Sequence, residues 1–465
     1  MISKHYLSVI IPHAAGSRLL MLSGKQGWGL PFFQIVDRAD TCLAAYLNRE
    51  LKSRLGIGVT VLRLFDPGLV TRTGAVHTVF LMENQSPNWN PPAGGAWVGR
   101  DELGGLRFSI AGLRATLEGW FDEAEGRVPP GDVSPWARPG WLASAAAWIR
   151  SRLDRRGLTA LGPVEQLNSS VNSCILRVAT ESGLVYLKAL RDDYAHEPAL
   201  ISDLSVEYPA HLPEVLAVDR ERHWILMRDA GGNSLYRTSD RSCWERAVQT
   251  YARIQLEYAG REARLLALGC ADWRVGRLEQ DLDELCDLAA AFSKDSPERL
   301  TMAEVDELKL RSEEMRTICR RLGDYRIPAT IEHGDLHPLN IFIAEGRCVY
   351  LDWTYSSLAH PFLSLKEIFL GIKLWRPDLR SAKLRLRDAY LEPWTTCEPK
   401  DRLIEAYRLM PALATLRGAV CAYRQFPGRR IKEWNDGSEF VAQVRYFIQS
   451  APLAIARATD SFRSL

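Results

Sequence analysis

The chain has 465 residues, of which 46% are hydrophobic and 25% charged, a balance typical of a globular protein that buries sizeable cores. Its formal net charge of +2, without any long block of lysine and arginine, argues against nucleic acid as a partner. No uninterrupted apolar stretch approaches the roughly 20 residues that a membrane span requires, so no membrane partner is expected. At this length two or three domains are expected.

The nine cysteines are scattered along the chain, and no two of them form a C-x-x-C pair. This pattern indicates neither a disulfide framework nor a zinc site, and it predicts reduced thiols in a cytoplasmic protein. The apolar run near the start is interrupted by His13 and Arg18. Its alternation is typical of a strand, so we do not interpret it as a signal peptide.

Residues 1–123 are predicted to form an α+β domain. The strand-like segments "LSVII", "VTVLRLF" and "VHTVFLM" surround one helix candidate, "ADTCLAAYLNRELKSRLG", which ends at Gly56 as a C-cap. Residues 124–140, "AEGRVPPGDVSPWARPG", are rich in proline, glycine and charge and lack apolar periodicity. We interpret this segment as a linker between domains.

The rest of the chain is predicted to have two lobes. Residues 141–232 begin with a linking helix, "GWLASAAAWIRSRLDRRG", and continue with strand-like stretches such as "SCILRVAT" and "LVYLKAL". Residues 233–465 show long helical patterns, for example "CWERAVQTYARIQLEYAG". A small β-rich lobe would therefore be followed, after a Gly-Gly joint at 231–232, by a large helical lobe.

One stretch, "IEHGDLHPLNIFIAEGRCVYLDW", interrupts the helical region with His333, Asp335, Asn340 and Asp352. Phosphoryl transfer needs one carboxylate to orient or deprotonate the attacking hydroxyl. It also needs an oxygen-bearing side chain and a second carboxylate to hold Mg²⁺ against the phosphates. The spacing from Asp335 to Asn340, followed by an aspartate at the end of an apolar strand, meets those needs.

Residues upstream of this stretch supply further parts of such a site. Lys188 ends a strand-like segment from which its ammonium group could reach nucleotide phosphates. Glu197 opens a predicted helix and could pair with Lys188. The segment 166–178 is a polar turn between apolar segments, and its small residues, including Ser169 and Ser170, could bring backbone N–H groups near phosphates.

This order of elements resembles the aminoglycoside phosphotransferase/choline kinase family, which has a protein-kinase-like fold, over roughly residues 158–450. The resemblance implies that Asp335 is the catalytic base and that Asn340 and Asp352 bind Mg²⁺. It also implies that Lys188 binds the phosphates of ATP or GTP with Glu197 as its partner. The turn "LNSSVNS" lacks the glycines of protein kinases, although the family often has a serine-rich turn there.

Residues 25–57 resemble the Nudix hydrolase region, in which clustered glutamates on a helix hold Mg²⁺ on a diphosphate. Arg49, Glu50 and Gly56 match that pattern, whereas Ser53 and Arg54 replace two glutamates. An arginine in this cluster would repel the metal ion. We therefore expect a Nudix-like α/β fold without hydrolytic activity, whose role in partner contact, regulation or substrate presentation is left open.

Three alternatives remain open at this point. The H-x-D-x-H pattern of His333, Asp335 and His337 could form a metal site, although His333 is more typical of a residue that braces the loop. The kinase-like part could bind nucleotide without transferring phosphate. The first domain could hydrolyse nucleotide diphosphates, against the evidence of Ser53 and Arg54. The leading hypothesis is a kinase for a small-molecule hydroxyl, because no activation-segment pattern of a protein kinase is evident.

Overall fold

A computed structural model gives the fold and describes residues 5–34, 42–70, 75–131, 133–292, 299–424 and 438–459. The chain divides into two compact units, and each is a mixture of helices and strands, so the predicted α+β class is confirmed. The first unit comprises Met1–Asp192 and Val215–Asp229, and the second comprises Asp193–Glu214 and Ala230–Leu465.

In the N-terminal part of the first unit, two sheets lie between two helices, one helix on each side. Its elements are β1 (His5–Ile10), β2 (Arg18–Gly24), β3 (Gly27–Gly29), β4 (Phe32–Gln34), α1 (Leu43–Leu55), β5 (Val59–Val70), β6 (Val76–Asn84), β7 (Gly95–Gly99) and α2 (Leu113–Ala124). One sheet has the order β4-β1-β6-β5, with β1 and β6 parallel, and the other has the order β3-β2-β7. The three strands predicted in this part are all present.

Alternation along β1 explains why helices cover both faces of the larger sheet. Val9 packs in a core with α1, whereas its neighbour Ile10 packs in a separate core with α2. Helix α1 ends as predicted, because Gly56 adopts φ = 71° and donates its N–H to the carbonyl oxygen of Lys52 at 3.1 Å. Residues 39–41 of the predicted helix lie outside the described residues.

The remainder of the first unit is a helix on an antiparallel sheet. Its elements are α3 (Trp141–Asp154), β8 (Glu165–Ser169), β9 (Ser173–Thr180), β10 (Gly183–Leu190), β11 (Val215–Asp219) and β12 (Trp224–Arg228). The sheet has the order β11-β12-β10-β9-β8. Ile149 and Leu153 of α3 pack against Leu176, Leu187 and Leu226 of the sheet, which is the apolar face that their periodicity predicts.

The segment between these two parts is more ordered than a linker composition suggests. Trp136 lies in a short 3₁₀ helix, Pro135–Ala137, and its side chain is only 2% exposed. It joins the same apolar core as α3 and the five-stranded sheet. A large aromatic residue therefore anchors a stretch whose proline and glycine content is typical of a flexible connection.

The second unit is mainly helical, with short strands. Its elements are α4 (His196–Glu207), β13 (Asn233–Ser234), α5 (Arg241–Tyr258), α6 (Glu262–Ala267), β14 (Ala271–Trp273), α7 (Val275–Phe292), α8 (Met302–Gly323), β15 (Thr330–Glu332), β16 (Ile341–Ala344), β17 (Arg347–Tyr350), β18 (Ser357–Ala359), α9 (Ser364–Trp375), α10 (Lys383–Leu391), α11 (Lys400–Arg408), α12 (Met410–Arg424) and α13 (Ser438–Thr459). The strands form two small sheets, β13-β16-β17 and β14-β18-β15. Among the helices of the described ranges, none is both long and apolar enough for a membrane crossing.

Helix α8 begins with a reciprocal capping interaction that is also tied to α13. Thr301 Oγ1 accepts a hydrogen bond from the N–H of Glu304 at 3.2 Å, and Glu304 Oε2 accepts one from the N–H of Thr301 at 2.7 Å. Arg445 donates to the other carboxylate oxygen of Glu304 at 2.7 Å. This bond from Arg445 is the main reason that the pKa of Glu304 falls from 4.5 to about 2.

Replacing Glu304 by glutamine keeps a side-chain oxygen for the cap but removes the charge that Arg445 neutralises. We expect the free energy of unfolding at neutral pH to fall by about 0.5–1 kcal/mol, because the pair is partly solvent-screened. A depressed folded-state pKa stabilises the protein above 4.5, and this contribution is lost as the pH falls through about 2. Urea unfolding at several pH values should show the difference from wild type shrinking over that range.

The matched control is Glu313→Gln on the same helix, where the carboxylate is 71% exposed and lies 3.2 Å from Arg316. Its effect should stay below about 0.5 kcal/mol at every pH. A stability loss in Glu304→Gln that did not change with pH would show that the charge of Glu304 is not responsible.

Candidate active site

The loop 333–340 connects β15 to β16, and the histidine that opens it is structural. His333 is fully buried, and its Nε2 donates to the carbonyl oxygen of Leu351 at 3.0 Å, while its Nδ1 accepts from the N–H of Asp335 at 3.4 Å. Burial lowers the pKa of His333 to about 4, so the ring is neutral at physiological pH. The ring fixes the start of the loop to the chain just after β17, which confirms the predicted bracing role.

Gly334 makes a second contact between this loop and the chain beyond β17. Its φ of +80° lies in the left-handed region that favours glycine. A Cβ atom added here would lie 2.1 Å from the carbonyl oxygen of Tyr355. The glycine of the H-G-D sequence is therefore required both by its backbone conformation and by the close approach of Tyr355.

Asp335 and Asn340 are brought together by the turn between them. Asn340 Nδ2 donates to the backbone carbonyl of Asp335 at 3.0 Å and lies 3.4 Å from its carboxylate Oδ2. The carbonyl oxygen of Asn340 accepts from the N–H of Leu351 at 2.9 Å. Because the amide nitrogen faces Asp335, the side-chain oxygen Oδ1 is the atom that can serve as a ligand.

The carboxyl group of Asp335 has a raised pKa, about 6, and burial is the main cause. The negative charges of Asp352 and Glu367 raise it further, whereas His337 lowers it. The Nε2 atom of His337 lies 3.6 Å from Asp335 Oδ2. The two aspartates that the sequence singles out therefore interact electrostatically, and Asp335 can take up a proton near neutral pH.

Asp352 is held in an unusual conformation by the residues after it and by helix α4. It adopts φ = 64° although it is not glycine, and its Oδ1 lies 2.7 Å from the hydroxyl of Thr354. The same hydroxyl lies 2.8 Å from Oε2 of Glu197, and Oε1 of Glu197 accepts from the N–H of Trp353 at 3.0 Å. Glu197 is fully buried near the start of α4, so its carboxylate fixes the segment that carries Asp352.

Glu332, the last residue of β15, stabilises the start of the loop, and sequence reasoning did not single it out. Its carboxylate is 1% exposed and accepts from the N–H of Gly334 at 2.9 Å and from Arg417 at 2.7 Å. Ser357 and Ser364 contact it at 3.2 and 3.3 Å. The available signal was an acidic residue at the end of an apolar strand immediately before the H-G-D sequence.

The other predicted residues lie in the first unit. Lys188 is on β10, 5% exposed, between Ile175 of β9 and Ile225 of β12. Ser169 ends β8, and its hydroxyl donates to the carbonyl of Leu62 at 3.3 Å. The Ser170 hydroxyl donates to the carbonyl oxygen of Ser173 and accepts from its N–H, so the hydroxyls of both serines make hydrogen bonds within the protein. The pairing of Lys188 with Glu197 stays a prediction.

The donor set suits a hard divalent cation. Asp352 and Asn340 offer a carboxylate and an amide oxygen, the ligands that Mg²⁺ prefers. A cation bound nearby would relieve the repulsion by Asp352 that helps to raise the pKa of Asp335. In the parts of the chain that the structure describes, no group of three or more His, Cys, Asp and Glu side chains could hold a metal. The H-x-D-x-H alternative is wrong for His333, because both its ring nitrogens are hydrogen-bonded internally.

Comparison with known families identifies the chemistry of this region. Residues 168–365 match the sequence model of a family described as the phosphotransferase enzyme family (APH). That range, less than half of the chain, contains all the residues predicted for the site. The protein is therefore an enzyme, a phosphotransferase that acts on a hydroxyl acceptor. No match was found among curated proteins.

Several solved structures are similar to the chain at low identity. A choline/ethanolamine kinase family protein from Mesorhizobium loti is 18% identical, with a TM-score of 0.43 over 68% of this chain and 99% of that one. Choline kinase LicA from Streptococcus pneumoniae is 15% identical, with a TM-score of 0.44 over 67% and 99%. Macrolide 2'-phosphotransferase MphH from Brachybacterium faecium is 14% identical, with a TM-score of 0.42 over 65% and 98%.

Two glycines with similar backbone angles allow a test of how tightly the loop is held. Gly334→Ala introduces a Cβ that collides with Tyr355, and we expect a loss of about 3 kcal/mol in the free energy of unfolding. Gly346, in the turn between β16 and β17, has φ = 78°, and a Cβ atom added there would have no other atom within 4 Å. Gly346→Ala should cost only about 1 kcal/mol, which is the conformational strain alone. Equal losses in urea unfolding would show that the contact with Tyr355 does not constrain the loop.

Proposed function

We propose that this enzyme transfers the γ-phosphoryl group of ATP or GTP to a hydroxyl of a small molecule, with Mg²⁺ as its metal cofactor. The observation that carries the proposal is the meeting of Asp335, Asn340 and Asp352 within the second unit. Asn340 contacts Asp335 directly, and Asp352 interacts with Asp335 through its charge. The family match over residues 168–365 supports the same chemistry.

In this proposal Asp335 is the catalytic base. Its carboxylate accepts the proton of the acceptor hydroxyl while the hydroxyl oxygen bonds to the γ-phosphorus and the nucleoside diphosphate leaves. Asn340 Oδ1 and the carboxylate of Asp352 would hold Mg²⁺, which supplies neutralisation of the triphosphate charge when bound. Glu197 and Thr354 hold Asp352 in its left-handed conformation, so that its carboxylate is positioned before any ligand arrives.

We assign the nucleotide phosphates to Lys188 and to the turn that contains Ser169 and Ser170. Both serine hydroxyls and the N–H groups of Ser169, Ser170, Asn172 and Ser173 are hydrogen-bonded within the protein. The turn would therefore contact phosphates mainly through the backbone at its exposed tip, Val171.

The test is a γ-phosphate transfer screen of the full-length chain against pooled small-molecule alcohols. Asp335→Asn should lower transfer by about 100-fold or more, because the amide cannot accept the hydroxyl proton, while the thermal unfolding temperature stays close to that of wild type. Asp306→Asn, on α8 with a side chain 71% exposed, is the control and should transfer at the wild-type rate. Transfer unchanged in Asp335→Asn would refute the assigned base.

Calorimetry separates this proposal from the alternative of a silent nucleotide-binding protein. Mg·ATP binding without consumption of ATP in the presence of any alcohol pool would favour the alternative. Binding together with acceptor-dependent release of ADP, lost in Asp335→Asn, would favour the kinase. The presence of Asp335, Asn340 and Asp352 together leads us to expect the second result.

For residues 1–123 we propose a Nudix-like domain that does not hydrolyse nucleotide diphosphates. The sandwich of two sheets between α1 and α2 supports the fold. The environment of Glu50 supports the proposed lack of hydrolytic activity. Arg54 pairs with the carboxylate of Glu50 at 2.7 Å, and its guanidinium carbon lies 5.2 Å from the centre of the Phe33 ring. The glutamate that matches the Nudix pattern is thus neutralised by the residue that replaces its metal-binding neighbour.

A cytoplasmic location and a partner contact through this domain remain predictions.

Incubation of the full-length chain with Mg²⁺ and a panel of nucleoside diphosphate derivatives should release no nucleoside monophosphate above background. The Asp335→Asn variant removes any contribution of the kinase site to the assay. Hydrolysis that persists in Asp335→Asn and disappears in Glu50→Gln would overturn the assignment of an inactive domain.

A further inference from the structure

Two edge strands of the first unit meet through a side chain. Strand β8 is at the edge of the five-stranded sheet, and β5 is at the edge of the four-stranded sheet. Gln166 of β8 accepts a hydrogen bond from the N–H of Val61 at 2.9 Å and donates one to the carbonyl of Val61 at 2.8 Å. Its side-chain amide thereby makes the pair of bonds that a neighbouring strand residue would make. Gln166 is only 3% exposed, so these bonds are shielded from water.

A β-bulge in β5 adds a further bond at the same place. The pairing of β5 with β6 shifts between Val61 and Arg63, which leaves Leu62 as the extra residue. The carbonyl of Leu62 accepts from the hydroxyl of Ser169 at 3.3 Å. The N-terminal domain therefore holds both ends of the short stretch from Gln166 to Ser169.

The segment that composition predicts to be a linker holds the next two residues. Trp136 Nε1 donates to the carbonyl of Ser170 at 2.8 Å, and Ser134 Oγ donates to the carbonyl of Val171 at 2.7 Å. Both donor residues are buried, at 2% and 7% exposure. The carbonyl groups of the turn are thus fixed from one side.

Inside the turn, Ser170 completes the arrangement. Its Oγ accepts from the N–H groups of Asn172 and Ser173 at 3.2 and 3.0 Å. Val171 at the tip is 62% exposed. A turn without glycine, whose tip faces solvent, is therefore held rigid by bonds from outside its own sheet and from within itself.

We propose that Gln166 is a positioning residue, through which the N-terminal domain fixes the turn 169–173 for binding of nucleotide phosphates. This inference rests on the proposed function, because it takes the turn to be the phosphate-binding element. Pairing with β9 sets the register of β8 within its own sheet, and the paired bonds to Val61 fix β8 against β5 of the neighbouring sheet. The first domain then contributes to nucleotide affinity without touching the nucleotide.

The experiment uses the full-length variants Gln166→Leu and Trp136→Phe. Gln166→Leu removes the two bonds to Val61, and Trp136→Phe removes the bond to the carbonyl of Ser170. The apolar side chain introduced in each variant still fills most of the buried space. Thr116→Val is the matched control, since it removes a partly buried 2.8 Å bond to Asp66 elsewhere in the first unit. Two quantities are measured for each protein: amide hydrogen exchange in residues 168–174, and the Kd of Mg·AMP-PNP by calorimetry. The unfolding temperature and kcat at saturating nucleotide are recorded alongside.

Both test variants should show exchange in residues 168–174 that is about tenfold faster and a Kd raised about tenfold, with kcat changed by less than about twofold. Thr116→Val should lose a similar amount of thermal stability with neither effect. Exchange and Kd in the test variants that match those of Thr116→Val would overturn the inference and leave Gln166 a purely structural residue. A wild-type chain that fails to bind AMP-PNP would instead overturn the proposed function, and the exchange data would still decide whether Gln166 holds the turn.

Discussion

The carboxylate of Glu332 lies directly before the active-site loop and is almost completely removed from solvent. Burial of a charge is costly unless the charge is paired and fully hydrogen-bonded. Arg417, the N–H of Gly334 and two serine hydroxyls meet that requirement. Arg417 comes from α12 and also lies 5.7 Å from the ring of Trp273, so helices far along the chain determine where the loop begins. The position of Asp335 therefore depends on α12 as well as on the loop that carries it.

The same requirement for support applies to Asp352, the second aspartate of the site. Its left-handed backbone would be strained in isolation, and it persists because Thr354 and the buried Glu197 hold the chain after it. His333 joins the two loops, since it bonds the chain just before Asp352. Preorganised oxygen atoms are what phosphoryl transfer requires, because catalysis of this kind is positioning and charge stabilisation. Here the stabilising bonds come from His333 and Thr354, which lie close in the chain to Asp335 and Asp352, and from Glu197 on α4.

Features that depend on local spacing could be predicted from the sequence. The turn that brings Asn340 to Asp335 is short, the strands of the first sheet show clear alternation, and Gly56 ends α1 as a left-handed cap. Contacts between distant positions could not be predicted in this way. Gln166 binds a residue 105 positions earlier, and Arg417 pairs with one 85 positions earlier. A single glutamine or arginine in a polar context carries no periodic signal, and its partner is fixed only by tertiary structure.

The segment 124–140 shows a related limit of composition. Its proline and glycine residues are typical of a flexible connection, yet Trp136 is buried in a core and bonds the turn after β8. Composition reports the average tendency of a stretch, whereas one large aromatic residue can determine its place. The identity of Ser169 and Ser170 was similarly informative about the turn but not about their hydroxyls, which satisfy backbone groups.

The junction between β5 and β8 also bears on solubility. An uncovered edge strand offers a row of unpaired backbone groups to which another chain can add. With Gln166 and Ser169 occupying groups of β5, each of the two sheets shields the other's margin, and neither extends into a continuous larger sheet. A chain shortened to its phosphotransferase part would expose the edge of β8. Such an edge can pair with another chain, so self-association is the expected consequence of separating the two domains.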